Sequence, residues 1–176
     1  MQKMNLPIIV SSFASLFFVA NTGLATDFSG SIQVPKHDHT MKQAMELAQV
    51  GLESFLDIRD RKPVGTGFYS VKVGIKDAGD SFRITSAPDE DGVEYFWLGT
   101  LKKTPTGFSG EIQELPETVK NVDMGQRVEF KRSDIVDWFY FEKGKLKGNF
   151  TACPALAHAT DDEREAFNRE FGTRCK

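Results

Sequence analysis

Apolar and polar positions change their period along this chain. Met41, Met45, Ala48, Leu52 and Phe55 recur at spacings of four, three, four and three, one stripe of an amphipathic helix over roughly 41–59. Thr40 suits its N-cap, Arg59, Arg61 and Lys62 suit its C-terminal end, and Pro63 cannot continue it. From Gly67 the period falls to two. Tyr69, Val71, Val73 and Ile75 alternate with Ser70, Lys72 and Gly74, which predicts a half-buried strand. Further strands are expected around Phe82 and Ile84, then over 93–102, 108–113 and 127–131. Turn chemistry separates them at Ala78-Gly79-Asp80, Asp89-Glu90-Asp91-Gly92 and 104–107. Leu115 to Gly125 reads as a connection with one helical turn after Pro116. In the run 135–142, Trp138 and Tyr140 point one way and Asp137, Phe139 and Phe141 the other, so a central strand covered on both sides is expected. It turns at Lys143-Gly144 into a last strand over 145–151. Thr160 and Glu163 form a capping box for a short helix carrying Phe167 and Phe171 and ending at Gly172.

Helix, long meander, short helix is an α+β order. The expected architecture is an N-terminal helix packed on a twisted antiparallel sheet of about six to seven strands, followed by a short C-terminal helix. A small closed barrel is the alternative arrangement of the same elements.

The apolar run before the first helix changes the picture of compartment. Lys3, then the apolar stretch 6–20, then Gly23-Leu24-Ala25 have the layout of a secretory signal peptide cut before Thr26. The run is too short and weakly flanked for a stable membrane span. Residues 1–25 are thus expected to be a leader, 26–39 an extended lead-in, and 40–176 a single domain. Losing Lys3 with the leader takes the formal net charge from −3 to −4, a balance that argues against a nucleic-acid partner. An exported chain with two cysteines predicts a Cys153–Cys175 disulfide rather than a metal or redox site.

Candidate chemistry is sparse. His37-Asp38-His39 places its histidines on alternate positions of an extended segment, where they point apart, and His158 is isolated. No nucleophile–base, phosphate-loop or zinc-protease motif occurs. No cofactor is implied. Glu94 and Asp137 lie in aromatic-rich strands, and facing one cleft they could serve as general acid and base. Their bland role is to satisfy local backbone donors. Trp97, Trp138 and their neighbouring phenylalanines could form a binding platform, or simply core.

Several motifs together carry a resemblance. Glu94-Tyr95-Phe96-Trp97, Phe108-Ser109-Gly110, Leu115-Pro116, Gly125-Gln126-Arg127-Val128, Ile135-Val136-Asp137-Trp138 and the 147–151 segment resemble the YegJ-like family of bacterial proteins, a domain of unknown function (DUF2314). The resemblance covers about half of the chain, with 82–151 as its core. Gln126 stands where an acidic residue is usual, and Glu114 where Asn is common. The resemblance implies no activity, but it singles out Glu94, Trp97, Asp137, Trp138 and Asn149 as candidate binding residues. The expected function is a non-enzymatic periplasmic binding module, of inhibitor or immunity type, whose partner is an envelope protein or cell-wall component. The alternative is a cell-wall hydrolase using Glu94 and Asp137.

Overall fold

The long helix begins at Asp38 rather than Thr40. In the computed structural model, which describes residues 2–5, 31–87, 90–172 and 175, the Asp38 carboxylate accepts the Met41 amide at 2.8 Å and so caps helix α1 (His39–Arg61). Thr40 serves indirectly, its hydroxyl donating to Asp38 Oδ1 at 2.6 Å. Asp extends further than Thr to reach the N3 amide, and its charge suits the positive helix end. Lys62, in the left-handed region at φ 46°, closes the helix by returning its N–H to Ile58 O. The predicted stripe is buried in full. Gly51 lets this face approach closely, since a Cβ there would lie 2.6 Å from the Trp138 ring.

Nine strands among the described residues form one sheet: β1 (Gln2–Asn5), β2 (Ser31–Val34), β3 (Thr66–Ala78), β4 (Ser81–Thr85), β5 (Glu94–Thr104), β6 (Gly107–Ile112), β7 (Arg127–Phe130), β8 (Ile135–Glu142) and β9 (Lys145–Gly148). The main path runs β2-β1-β5-β3-β8-β9, with β4 branching from β3, and β6 and then β7 from β5. The class is therefore α+β. The sheet is mixed rather than antiparallel throughout, because β1 runs parallel to β5 at Lys3↔Glu94 and Met4↔Tyr95. Those first strands come from segments read as leader and lead-in. Residues 6–30, including the expected cut before Thr26, lie outside the described residues.

Helices α2 (Ala152–Leu156) and α3 (Asp161–Phe171) follow the last strand. The capping box at Thr160 and Glu163 and the left-handed Gly172 end of α3 stand as the sequence predicts, whereas α2 has no counterpart in that reading. Cys153 and Cys175 are bonded, joining the start of α2 to the residues after α3. One core gathers α1 residues with Val71, Val73, Phe96, Leu98, Trp138 and Tyr140. The other gathers Met41, Met45, Tyr95, Val136, α2 and α3.

Three local expectations change. Strand β3 is covered on both faces, so Ser70 and Lys72 are buried rather than solvent-facing. The 115–125 connection carries no helix; its amides bind carboxylates instead. Strand β9 ends at Gly148, because Gly148 (φ 80°) and Asn149 (φ 60°) both turn left-handed and carry the chain under the sheet. A Cβ at Gly148 would lie 2.2 Å from Trp138 O, so the close crossing requires glycine.

Candidate functional site

Strand register builds a charged row inside the sheet. Lys72 of β3 stands opposite Trp97 of β5 on one side and opposite Asp137 of β8 on the other. Directly paired residues share a face, so the three side chains form one transverse line. Lys72, at 0% exposure, sets its Nζ 4.5 Å from the Trp97 ring centre and donates to Thr151 Oγ1 at 2.8 Å. Thr151 Oγ1 in turn donates a hydrogen bond to Asp137 Oδ2 at 2.7 Å. The result is a hydrogen-bonded chain from ammonium to carboxylate.

Asp137 is also 0% exposed and accepts three amides besides: Trp138 N at 2.8 Å, Phe150 N at 3.2 Å and Thr151 N at 2.8 Å. Burial is the chief influence on both charges, lowering Lys72 to about 8 and raising the Asp137 carboxyl above its ordinary range. Each charge partly offsets the other's shift, and Glu114 adds to the hold on Lys72. Glu114 Oε2 accepts the Trp97 amide at 2.8 Å. Lys72, Thr151 and Glu114 were not singled out by sequence reasoning. The signal for Lys72 was indirect: its neighbours in β5 and β8 are aromatic on both faces, so the strand between them has no solvent side.

Glu94 performs a different task. It is 0% exposed, and its carboxylate takes the successive amides of Glu117, Thr118 and Val119 at 2.8–3.3 Å, an anion seated in a turn. Asp77 does the same for Lys120 and Asn121. By strand alternation Glu94 shares its face with Phe96 and Leu98, while Asp137 lies on the face of Trp97. The two carboxylates therefore occupy opposite sides of the sheet. Both are enclosed and bonded to backbone, which gives no acid–base pair in a cleft.

The remaining candidates are internal too. Trp138 donates its indole N–H to Ala48 O at 2.8 Å and stacks on Phe55 at 5.0 Å. Trp97 packs edge-on against Phe139 at 4.7 Å. Asn149 is buried, and neither polar atom of its side chain has a hydrogen-bond partner among the described residues. Its φ of 60° and its amide bond to Trp138 O mark it as a turn residue. Asp38 pairs with His158 Nε2 at 3.0 Å; hydrogen bonds from the Thr40 hydroxyl and then the Met41 amide lower its carboxyl to about 2.

The open feature lies at a fork in the sheet. β3 and β5 pair from Val71↔Leu98 to Ile75↔Glu94 and then part. Beyond the fork, β3 follows β8 and β5 follows β6, and each pairing slips by a bulge, at 67–70 in one and 99–102 in the other. Bulges bend strands and re-aim side chains. Here they spread the two arms around a cavity of about 850 Å³, inside the range of ligand pockets. Phe68 and Thr100, one at each bulge, are both left-handed, with φ of 55° and 49°. For an aromatic and a β-branched residue this is strain, which proteins retain chiefly at working sites. Phe68 is 70% exposed on the rim, and Met124 is exposed across from it. Arg59, Lys62 and Lys102 supply positive charge.

Sequence reasoning missed this cleft because a bulge has no signature in alternation alone. Arg59 was legible in principle, since it continues the apolar stripe four residues after Phe55.

Fold and site together define an α+β protein with a mixed, forked sheet, a buried charge row, and an open cleft at the fork. The chain belongs to the family described as "Uncharacterized protein conserved in bacteria (DUF2314)", whose model matches residues 38–174. It is 28% identical over 158 residues to "Uncharacterized protein YegJ" of Escherichia coli (strain K12), covering 89% of this chain and 94% of that one. No solved structure matches. Charge row and cleft both fall within the matched residues. Among the described residues no helix is long and apolar enough to cross a membrane.

Proposed function

We propose that this chain is an exported binding module, acting in the periplasm on an envelope protein or a cell-wall component, and that the forked cleft is its binding site. One observation carries the reading: two neighbouring strands bulge at the same level, each with a left-handed non-glycine residue, around an open cavity with an exposed aromatic rim. Strain repeated on both sides of one cleft is best accounted for by what the cleft holds. An inhibitor or immunity role is one form of such binding. The hydrolase alternative draws no support from carboxylates on opposite faces of the sheet.

This reading moves the candidate binding residues. Glu94, Trp97, Asp137, Trp138 and Asn149 shape and hold the arms, while Phe68, Thr100 and Met124 meet the partner. The test has two parts. Cell fractionation of the full chain against a form lacking residues 1–25 reads export. Photo-crosslinking from the Phe68 and Met124 positions in envelope extract, with Phe68→Asp as control, reads the site. Crosslinks from both positions are expected, and those from the Met124 position should vanish in the Phe68→Asp protein. Crosslinks that persist in it would show that the partner docks elsewhere.

A further inference from the structure

The cleft carries more charge information than shape alone. Arg59 is only 7% exposed, yet it lines the cavity. Its Nε and Nη2 atoms have no hydrogen-bond partner among the described residues. Asp60 Oδ1 lies 3.2 Å from Nε without hydrogen-bond alignment, and Asp60 is shared with Lys103. The guanidinium rests 5.2 Å from the Phe108 ring centre. A desolvated guanidinium with idle donors is costly to maintain unless an anion completes it. Lys62 and Lys102 are exposed on the same lining, and the one acidic group there, Glu111, is engaged by Arg127 at 2.5 Å. A positive cleft thus sits on a chain of formal net charge −3.

Building on the reading of the fork as a binding site, we infer that the cleft binds a short peptide by its free carboxylate, seated at the Arg59 end. Charge complementarity selects the anion, and a planar guanidinium suits a carboxylate. The rest of the lining selects the body. Tyr69 and Met124 offer apolar surface, while Thr100 and the exposed Gln113, whose Oε1 is held by Ser70 at 2.9 Å, offer hydrogen-bonding groups for main-chain amides. The bulges interrupt both strand edges at the fork, so the ligand is gripped by side chains rather than added as a further strand.

Calorimetric titration of the full chain with N-acetyl tripeptides ending in Ala, Leu or Phe, each as free acid and as amide, tests this. At least one free acid is expected to bind, with its amide about tenfold or more weaker, as loss of a charge-assisted contact requires. Lys62→Glu with Lys102→Glu changes only exposed side chains and should weaken the acid by about tenfold at low salt. Arg59→Met should abolish binding while circular dichroism confirms the fold. Acid and amide binding alike, or indifference to the charge reversals, would overturn the carboxylate assignment. So would silence from every peptide up to about 5 mM, or tighter binding of decanoate than of any peptide. If acid and amide bind equally but Phe68→Asp abolishes both, the cleft stands and its anion selectivity falls. If Phe68→Asp leaves peptide binding intact, the cleft itself is not the site.

Discussion

Replacing Asp137 by Asn tests the charge row most directly. The carboxylate receives four donors, two on each oxygen: Trp138 N and Phe150 N on Oδ1, Thr151 N and Thr151 Oγ1 on Oδ2. Asn keeps one acceptor oxygen and presents an NH₂ where the other stood. Two buried donors lose their partner, at about 1–3 kcal/mol each. Lys72 loses its counter-charge as well, and breaking one side of a buried pair costs about 3–5 kcal/mol. These costs overlap, so the expected loss is about 3–5 kcal/mol against a total stability of about 5–15 kcal/mol. At about 2–4 °C per kcal/mol, the midpoint should fall by roughly 6–20 °C. Urea unfolding followed by fluorescence of Trp97 and Trp138, both buried, measures it. Lys72→Met in the Asp137→Asn background should be less destabilised than the sum of the two single changes, with coupling of about 1–3 kcal/mol. A single-variant loss below about 1 kcal/mol, or strict additivity, would refute the row as a coupled unit.

The row also predicts a pH dependence. Burial holds Lys72 at about 8 against its ordinary 10.5, so between those values the unfolded chain keeps a proton that the folded chain has shed. Stability should therefore rise with pH through that window, and Lys72→Met should flatten the rise in denaturation midpoints. Glu94→Gln should cost about 2 kcal/mol and speed hydrogen exchange at the amides of Glu117, Thr118 and Val119, which depend on that carboxylate. Cys153→Ser opens a cross-link spanning 22 residues, and thermal unfolding should show a loss of about 3 kcal/mol. Thr100→Gly should relieve about 1 kcal/mol of strain, raising the midpoint while weakening whatever the cleft binds.

Much of this fold was legible from period alone. The buried stripe of α1, the strands from β3 to β8 and the α3 capping box follow from spacings that local physics enforces. The α1 start was missed by two residues because Asp38 and Thr40 both can cap, and only geometry shows which oxygen reaches Met41. Lys72 was read as solvent-facing because alternation marks two faces but does not say how many are covered. That depends on residues far along the chain, such as Thr151, which meets the Lys72 ammonium at 2.8 Å. The candidate residues were found as positions of consequence, yet their consequence is architectural: Glu94 fixes the 117–119 turn, and Asp137 fixes the chain passing from Phe150 to Thr151. The cleft escaped notice because it arises where two pairings slip together, a relation between strands rather than a property of either.

The transverse line Trp97–Lys72–Asp137 also bears on how the chain finds its alignment. Sliding β3 by one residue against either neighbour would turn Lys72 into the apolar layer beneath α1 and bring Val71 or Val73 against the Asp137 carboxylate. An ammonium without its carboxylate and a carboxylate without its ammonium are both heavily penalised in such surroundings. A mispaired sheet is thus penalised relative to the native register. Three side chains from three strands act as a key that turns in one position only.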